Sequence, residues 1–275
     1  MASYDVDHTD PYDFSGNFFL ADLPQGNPIS KVVRSTGYVE FDPLFKIYPG
    51  QFVVTTGMAG SGKTTFLFNL IVNICWQYGD KAWVYAPENE LYLLDKFRKL
   101  FNGHDKNFEI FSKERCIIRS SNYDRYQTTP RDIEWIIRNA YDQHDKHKAR
   151  IFMIDPWNEL ERAKARDENL TDYISRCLQE IKTFARQTKS TVFMVAHPTK
   201  AAVGREVTLA DIEGSMHWFN KCDNGLIVVR QEKDTKITSA KVRMQPDAGS
   251  PGYHLFLVNP NTGIFTEQPG GTFTL

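Results

Sequence analysis

This sequence of 275 residues lacks an excess of positive or negative charge, because its 33 Lys and Arg residues nearly balance its 34 Asp and Glu residues and leave a formal net charge of −1. A chain-wide basic field that attracts polyanions is therefore excluded, and any contact with nucleic acid has to come from a few local loops. Residues 1–10 are acidic and contain no apolar stretch, so they do not resemble a secretory signal. Long hydrophobic runs are missing too, and we expect a soluble, cytoplasmic protein without membrane contact.

Cysteine is also scarce. The four cysteines are far apart in the sequence, and none of them falls in a CxxC or Cys/His ligand spacing. We therefore expect reduced, half-buried thiols at Cys75, Cys116, Cys177 and Cys222. The sequence contains no internal repeat, low-complexity tract or heptad register, and its length is sufficient for one large domain with its own core.

Short apolar runs alternate with segments of helical periodicity from residue 51 onward. The runs at 51–56, 82–86, 150–154 and 191–196 are typical of buried strands, and the segment at 63–78 carries apolar residues at helical spacing. Continuous apolar strands separated by helices predict an α/β fold with a mostly parallel central sheet and helices on both faces. The last strands are separated by Asp-, Gly- and Pro-rich turns, which predicts antiparallel pairing at the C-terminal end of the sheet.

Residues 36–275 are predicted to form this single domain, and residues 1–35 an N-terminal arm. The arm is rich in Asp, Gly and Pro and has an apolar patch at residues 18–20. Two interpretations stay open for it: a frayed terminus, or a strap that docks on a neighbouring subunit.

The segment 57–64 reads G-M-A-G-S-G-K-T, which fits the phosphate-loop pattern G-x-x-x-x-G-K-[ST], and it lies between a predicted strand and a predicted helix. Glycines let the backbone turn so that its N–H groups face the phosphates, and the helix N-terminus adds a partial positive charge. Lys63 is expected at the β- and γ-phosphates and the Thr64 hydroxyl at Mg²⁺. The sequence therefore predicts a site for ATP and Mg²⁺, with contacts at Gly57, Met58, Ala59, Gly60, Ser61, Gly62, Lys63, Thr64 and Thr65.

Two acidic residues that follow predicted parallel strands would complete a hydrolytic site. Asp155 ends the run IFMID, where its carboxylate would hold Mg²⁺ through water, and the alternative is a helix cap or turn residue. Glu88 follows AWVYAP and is placed to orient and deprotonate the attacking water, with Glu90 as the reserve candidate. For either glutamate the alternative is a solvated loop residue.

Three later strings narrow the class of NTPase. They are VFMVAHPTK at 192–200, GSMHWFNKCDNGLIVVR at 214–230 and K-V-R at 241–243. Their order after the phosphate loop resembles the motor domain of hexameric replicative helicases of the DnaB and Twinkle type, especially the helicase half of phage primase-helicases. The resemblance covers about residues 35–265. It implies a RecA-like fold, a ring of usually six subunits, and ATP held between adjacent subunits.

The resemblance also implies roles for individual residues. His197 looks like the sensor that touches the γ-phosphate, whereas the alternative is a histidine satisfied within the sheet edge. Arg243 resembles the arginine finger that reaches into the neighbouring subunit's site, with Lys241 beside it at the nucleotide. A planar guanidinium suits the charge of the transferring phosphoryl group. A solvated strand arginine is the alternative, since alternating apolar residues surround position 243.

By the same resemblance, single-stranded DNA would contact two loops that face the centre of the ring. The loop after His197 contains Lys200 and Arg205, and the stretch ELERAKAR after Asp155 contains three further cations, Arg162, Lys164 and Arg166. A ring multiplies a few cations per subunit into many phosphate contacts, so the low net charge does not argue against DNA binding. The alternative for the second stretch is a solvated helix face. Trp157 and Trp218 are interpreted as packing residues, and the alternative for Trp157 is stacking on a nucleic-acid base.

We therefore expect a motor that hydrolyses ATP at the subunit interfaces of a homo-hexamer and translocates on single-stranded DNA to unwind a duplex, in the cytoplasm of a bacterial or phage-infected cell. Neither a primase nor a zinc-ribbon domain precedes the motor in this sequence, so we expect that priming belongs to a separate polypeptide or to a segment that the sequence does not include. The usual linker helix is also not evident in residues 1–35. Two alternatives stay open: a recombinase-like or clock-type RecA ATPase without unwinding, and a nucleotide-gated replication adaptor or loader.

Overall fold

The structure, a computed structural model, describes residues 28–120, 130–214 and 216–274. Within these ranges the strands are β1 Phe52–Thr56, β2 Ala82–Tyr85, β3 Cys116–Ile118, β4 Ile151–Ile154, β5 Thr191–Val195, β6 Asn224–Arg230, β7 Thr235–Val242, β8 Gly252–Val258 and β9 Phe265–Thr274. The helices are α1 Lys63–Tyr78, α2 Leu93–Leu100, α3 Asp105–Ile110, α4 Ile133–His147, α5 Leu170–Thr188 and α6 His217–Lys221. The apolar patch at 18–20 and Ser215 of the GSMHW string lie outside the described residues.

The strands of the described residues form one sheet in the order β3-β2-β4-β5-β1-β6-β7-β8-β9. Neighbouring strands from β3 to β6 in this order are parallel, and those from β6 to β9 are antiparallel. The predicted mostly parallel sheet with antiparallel C-terminal strands is thus confirmed. Because parallel strands all end at one edge, the loops that follow β1, β2, β4 and β5 meet there. We call this the carboxyl edge of the sheet.

Helices cover both faces of the sheet because its central strands are apolar on both sides. Every residue of β1 is buried, and its side chains alternate between the two layers. Val53 packs in the layer of α1, with Phe66 among its partners. Phe52 and Val54 pack in the opposite layer, with Ile181 of α5. A continuous apolar strand is therefore the sequence signature of this doubly covered sheet.

The described part of the predicted arm, residues 28–35, packs on the domain. Ile29 is buried in a small cluster with Tyr48. Arg34 forms an ion pair of 2.8 Å with Asp80. Residues 1–27 lie outside the described residues, so docking of the arm on a neighbouring subunit stays a prediction.

The four cysteines are free thiols, as expected, but three of them are fully buried rather than half-buried. Cys75, Cys177 and Cys222 are buried and Cys116 is half-buried, and burial raises the pKa of each thiol. They pack as small apolar side chains. None of the helices in the described ranges has both the length and the apolar character needed to cross a bilayer.

Candidate nucleotide-binding site

The phosphate loop joins β1 to α1 at the carboxyl edge. Its glycines at 57, 60 and 62 have φ values of +146°, +74° and +97°, a region that favours glycine. A Cβ on Gly57 would lie 2.9 Å from Ser61 Oγ and closer still to the carbonyl oxygen of Val228 in β6. Among the described residues, no side chain caps the N-terminus of α1. Its free N–H groups and the helix dipole therefore form a cradle suited to a phosphate.

Lys63, the first residue of α1, is folded back into the loop. Its side chain is 5% exposed, and Nζ donates hydrogen bonds to the carbonyl oxygens of Gly57 at 2.8 Å and Met58 at 2.9 Å. Burial lowers the pKa of Lys63, and the nearby carboxylates of Asp155 and Glu88 oppose that shift. The ammonium group is thus enclosed beside the cradle, with two acids close enough to stabilise its charge.

Asp155 follows β4 and is 2% exposed. Burial raises the pKa of its carboxyl group to about 6, a hydrogen bond from Thr64 opposes the shift, Glu88 adds to it, and Lys63 and Lys96 lower it. The Oδ2 atom of Asp155 is buried and has no hydrogen-bond partner among the described residues. A buried carboxylate oxygen without a partner, next to a threonine hydroxyl, provides the hard oxygen donors that Mg²⁺ prefers. Thr64 and Asp155 therefore fit the predicted ion.

The structure separates the two candidate glutamates. Glu88 is exposed at the start of the 3₁₀ turn Pro87–Tyr92 after β2, and its charge acts on both Lys63 and Asp155. Glu90 instead accepts a hydrogen bond from the Ser120 hydroxyl and lines an apolar cavity of about 200 Å³ between α2, α3 and β3. The geometry favours Glu88 as the residue that faces the site.

His197 follows β5 and lies at the same edge. Its backbone N–H donates to Asn158 Oδ1 at 3.1 Å. Burial lowers the pKa of the imidazole, nearby Lys63 lowers it further, and Glu159 opposes the shift. His197 is thus held beside Lys63 in the neutral form near neutral pH.

Sequence reasoning missed two residues at this edge. Asn158 links the loop after β4 to His197, and its only sequence signal is its place shortly after Asp155. Lys96 of α2 interacts electrostatically with Asp155, while burial lowers the pKa of its ammonium group. Lys96 also donates a hydrogen bond to Asn89. Nothing in the local sequence of α2 distinguishes this lysine from the exposed lysine at position 99.

Lys241 and Arg243 lie at the opposite edge of the sheet. Lys241 donates hydrogen bonds to the carbonyl oxygens of Phe219 and, at 3.2 Å, Asn220. Arg243 Nη2 donates to the carbonyl oxygens of Asn220 at 3.0 Å and Cys222 at 3.3 Å. Both cations thus cap the C-terminus of α6, where the helix dipole favours positive charge. Neither contacts the phosphate loop of its own chain within the described residues.

The two candidate cations in the loop after His197 differ in their surroundings. Lys200 is exposed in the 3₁₀ turn Lys200–Ala202. Arg205 forms a bidentate ion pair with Asp211, which lowers the pKa of that carboxyl group to about 2. Glu206 next to it pairs with Lys236 at 2.6 Å. Lys200 is therefore available to a new anion, whereas Arg205 is already satisfied by a carboxylate.

This loop also forms one wall of a cleft beside the phosphate loop. The cleft, about 810 Å³ in volume, is lined by residues 58–61, 204–207, 228–232 and Lys236. The predicted phosphate-binding segment and the predicted DNA-binding loop are thus neighbours in space, although they are far apart in the sequence.

The stretch ELERAKAR does not form a helix. Residues 161–169 are irregular and mostly exposed, so the alternative of a solvated helix face is wrong. A turn at 166–167 and the Asn169 side chain, which caps α5, delay the helix until Leu170. Lys164 and Arg166 are exposed, and Arg162 pairs with Glu213 at 3.1 Å.

Trp157 and Trp218 are packing residues, as expected. Both are almost fully buried, and their rings meet edge to face with centroids 5.3 Å apart. The Trp218 Nε1–H donates to the Glu213 carbonyl at 3.1 Å. The pair therefore joins the base of the loop after β4 to α6 and leaves no ring face for a nucleic-acid base.

Comparison with known proteins identifies the family of this chain. The model of the AAA domain family matches residues 45–203. The chain is 29% identical to the Twinkle homolog protein, chloroplastic/mitochondrial, of Arabidopsis thaliana, over 86% of this chain and 36% of the relative. It therefore spans about a third of that relative's length.

Two solved structures share the fold. One is an ATPase domain, which superposes with a TM-score of 0.70 at 18% identity, over 85% of this chain and 90% of the other. The other is a DnaB-like replicative helicase, described with its interactions with primase, which superposes with a TM-score of 0.68 at 18% identity, over 85% of this chain and 63% of the other. The RecA-like fold that the resemblance implies is thus confirmed. The resemblance to DnaB- and Twinkle-type helicase domains is confirmed by these similarities, and the chain belongs to the AAA domain family.

Proposed function

We propose that this chain is the motor of a ring-forming replicative DNA helicase, which hydrolyses ATP between adjacent subunits and moves along single-stranded DNA. One observation carries the proposal. Lys63, Asp155, Glu88 and His197 interact at the carboxyl edge, whereas the finger candidate Arg243 lies at the opposite edge of the same sheet. A site completed by a second copy is the simplest way to use both.

Within one copy, each residue at the carboxyl edge has a chemical task. The cradle and Lys63 bind the phosphates, and phosphate oxygens would replace the loop carbonyls that now accept from Nζ. Glu88 orients the attacking water and accepts its proton. His197, neutral and beside Lys63, donates to the γ-phosphate and reports its presence. Thr64 and, through water, Asp155 would hold Mg²⁺, which would neutralise phosphate charge.

Arg243 would act on the neighbouring copy. Val242 at the end of β7 pairs with Asn224 at the start of β6, whereas Thr56, which precedes the phosphate loop, pairs with Ile227. The three strand steps from 224 to 227 alone span about 10 Å. Arg243 is therefore too far to serve its own loop, and we assign it, with Lys241, to the nucleotide of the adjacent subunit.

Motion follows from the loop after His197. Release of the γ-phosphate would free His197, and Lys200 lies three residues further along the same loop. This loop and the phosphate loop line the same cleft, so a movement of the phosphate loop would change the position of the loop after His197. In a homo-hexamer the Lys200 side chains, with Lys164 and Arg166, would track the phosphates of single-stranded DNA. We place this motor in the cytoplasm of a bacterial or phage-infected cell, and its partner there would be a separate primase.

The first test measures DNA-stimulated ATPase activity. Lys63→Ala should abolish it, because the phosphate cradle loses its buried positive charge. Lys99→Ala removes an exposed α2 lysine that pairs with Asp95 and serves as the control. Unchanged turnover in Lys63→Ala would contradict the mechanism.

The second test mixes Arg243→Ala subunits with wild-type subunits. A finger donated to a neighbour predicts a loss of activity greater than in proportion to the mutant fraction, whereas linear dilution would contradict a shared site. Strand displacement on a forked substrate separates the helicase from a recombinase-like or clock-type ATPase. Turnover near zero with single-stranded DNA would favour an adaptor or loader.

A further inference from the structure

A buried carboxylate, that of Asp223, organises the edge of the sheet where Arg243 lies. Asp223 precedes β6 and is 2% exposed. Its Oδ2 accepts from the backbone N–H of Phe52 at 3.0 Å. Its Oδ1 accepts from Lys182 Nζ at 2.7 Å and pairs with Arg243 Nε at 3.0 Å. We call Lys182, Asp223 and Arg243 the Asp223 cluster.

The Asp223 cluster contributes little net free energy to folding, because its charged groups lose their hydration when they are buried. Lys182 belongs to α5, and burial lowers the pKa of its ammonium group while Asp223 opposes that shift. A buried ion pair repays its loss of hydration only in part, so apolar residues of similar volume often stabilise a core equally well. What such a pair supplies better than apolar residues is a defined direction for each polar group.

The direction given to Arg243 is specific. Its Nε lies 3.0 Å from Asp223 Oδ1 in an ion pair, and the N–H groups on Nη2 donate to the carbonyl oxygens of Asn220 and Cys222. Within the described residues Nη1 has no partner, and the side chain is 37% exposed. The inner edge of the guanidinium is thus fixed and its outer edge is left for an anion beyond this chain.

We propose that Asp223, neutralised by Lys182, is a positioning residue that presets Arg243 for the triphosphate held by the neighbouring copy. This inference rests on the proposed function of Arg243. A preset guanidinium avoids the entropy cost of ordering a long side chain during each hydrolysis event. Because Asp223 is also bonded to Phe52, the first residue of β1, it ties the arginine to the strand that ends at the phosphate loop.

Asp223→Asn tests the proposal in the assembled 275-residue chain with ATP and single-stranded DNA. The amide keeps the volume and an acceptor for Phe52 but loses the charge that orients Arg243. We expect kcat to fall roughly 10- to 100-fold, the size of a displacement of about 1 Å, with KM for ATP unchanged. Asp80→Asn, which removes the acid of the remote Arg34 pair, is the matched control and should leave kcat unchanged.

The decisive comparison uses the double variant. If Asp223 acts through Arg243, then Asp223→Asn should cause no further loss of kcat in an Arg243→Ala background. An additive loss there, or wild-type kcat in Asp223→Asn alone, would overturn the inference. If thermal melting shows that Asp223→Asn does not fold, Lys182→Gln is measured instead in the wild-type and Arg243→Ala backgrounds. The same outcomes then support or overturn the inference. Full activity in Arg243→Ala itself would instead refute the proposed finger.

Discussion

Gly57→Ala should lower the free energy of unfolding more than an alanine substitution at another glycine with positive φ. The new Cβ would lie 2.9 Å from Ser61 Oγ and closer to the Val228 carbonyl oxygen, and the residue has φ +146°. Backbone strain costs about 1–3 kcal/mol, and the overlap with β6 costs about 1–3 kcal/mol more. We expect a total of about 4 kcal/mol, or a fall in melting temperature of about 10 °C. Since Lys63 donates to the Gly57 carbonyl, ATP binding should fall as well.

Gly103→Ala is the matched control. Gly103 has φ +85° but no heavy atom within 4 Å of the added Cβ, so only the left-handed backbone costs free energy, about 1–2 kcal/mol. Scanning calorimetry measures both variants, and fluorescence titration with a labelled ATP analogue measures binding. If Gly57→Ala had the same melting temperature as Gly103→Ala and bound the analogue like the wild type, close packing of the loop on β6 would be refuted.

Three further predictions concern single side chains. Glu88→Gln should lower kcat by about 10²–10⁴ while ATP binding persists, whereas Glu90→Gln should leave hydrolysis intact, as measured by phosphate release. Lys200→Ala should reduce the salt dependence of single-stranded DNA binding by about one ion per subunit, and Arg205→Ala, whose side chain is already ion-paired, should reduce it less. Burial lowers the folded-state pKa of His254, so folding stability should fall by up to about 1.4 kcal/mol per pH unit below the unfolded-state pKa of about 6.5. His254→Gln should flatten that dependence in urea unfolding.

The sign of the His254 effect follows from its surroundings. The ring is fully buried, its Nδ1 lies 2.8 Å from Thr272 Oγ1, and Nε2 has no partner among the described residues. The carboxylate of Glu40 favours the charged form but is outweighed by burial. Acid therefore protonates the unfolded chain first. An unchanged pH dependence of stability in His254→Gln would contradict this reasoning. Equal losses of kcat in Glu88→Gln and Glu90→Gln would contradict the role of Glu88. Equal salt dependence of DNA binding in Lys200→Ala and Arg205→Ala would contradict the role of Lys200.

Local signals predicted much of the fold. The bounds of α1, Lys63–Tyr78, coincide with the predicted helix because a glycine loop precedes it and Gly79, with φ +71°, ends it. The parallel strands were predictable because burial on both faces leaves continuous apolar runs. The stretch at 161–169 was harder, since its charges fit a solvated helix as well as a loop. The turn and cap that keep it irregular are weak signals in the sequence.

By itself, the sequence determined the kind of chemistry: a strand, a glycine loop and a helix with Lys63 in place are sufficient to predict a phosphate cradle, because that geometry is local to the chain. Only the tertiary structure separated Glu88 from Glu90, paired Arg205 with Asp211, and placed Arg243 against the end of α6 and Asp223. Lys182 and Asp223 are 41 positions apart in the sequence. Their contact arises because sheet register and helix packing bring distant segments to one edge, and no short-range pattern of residues encodes that register.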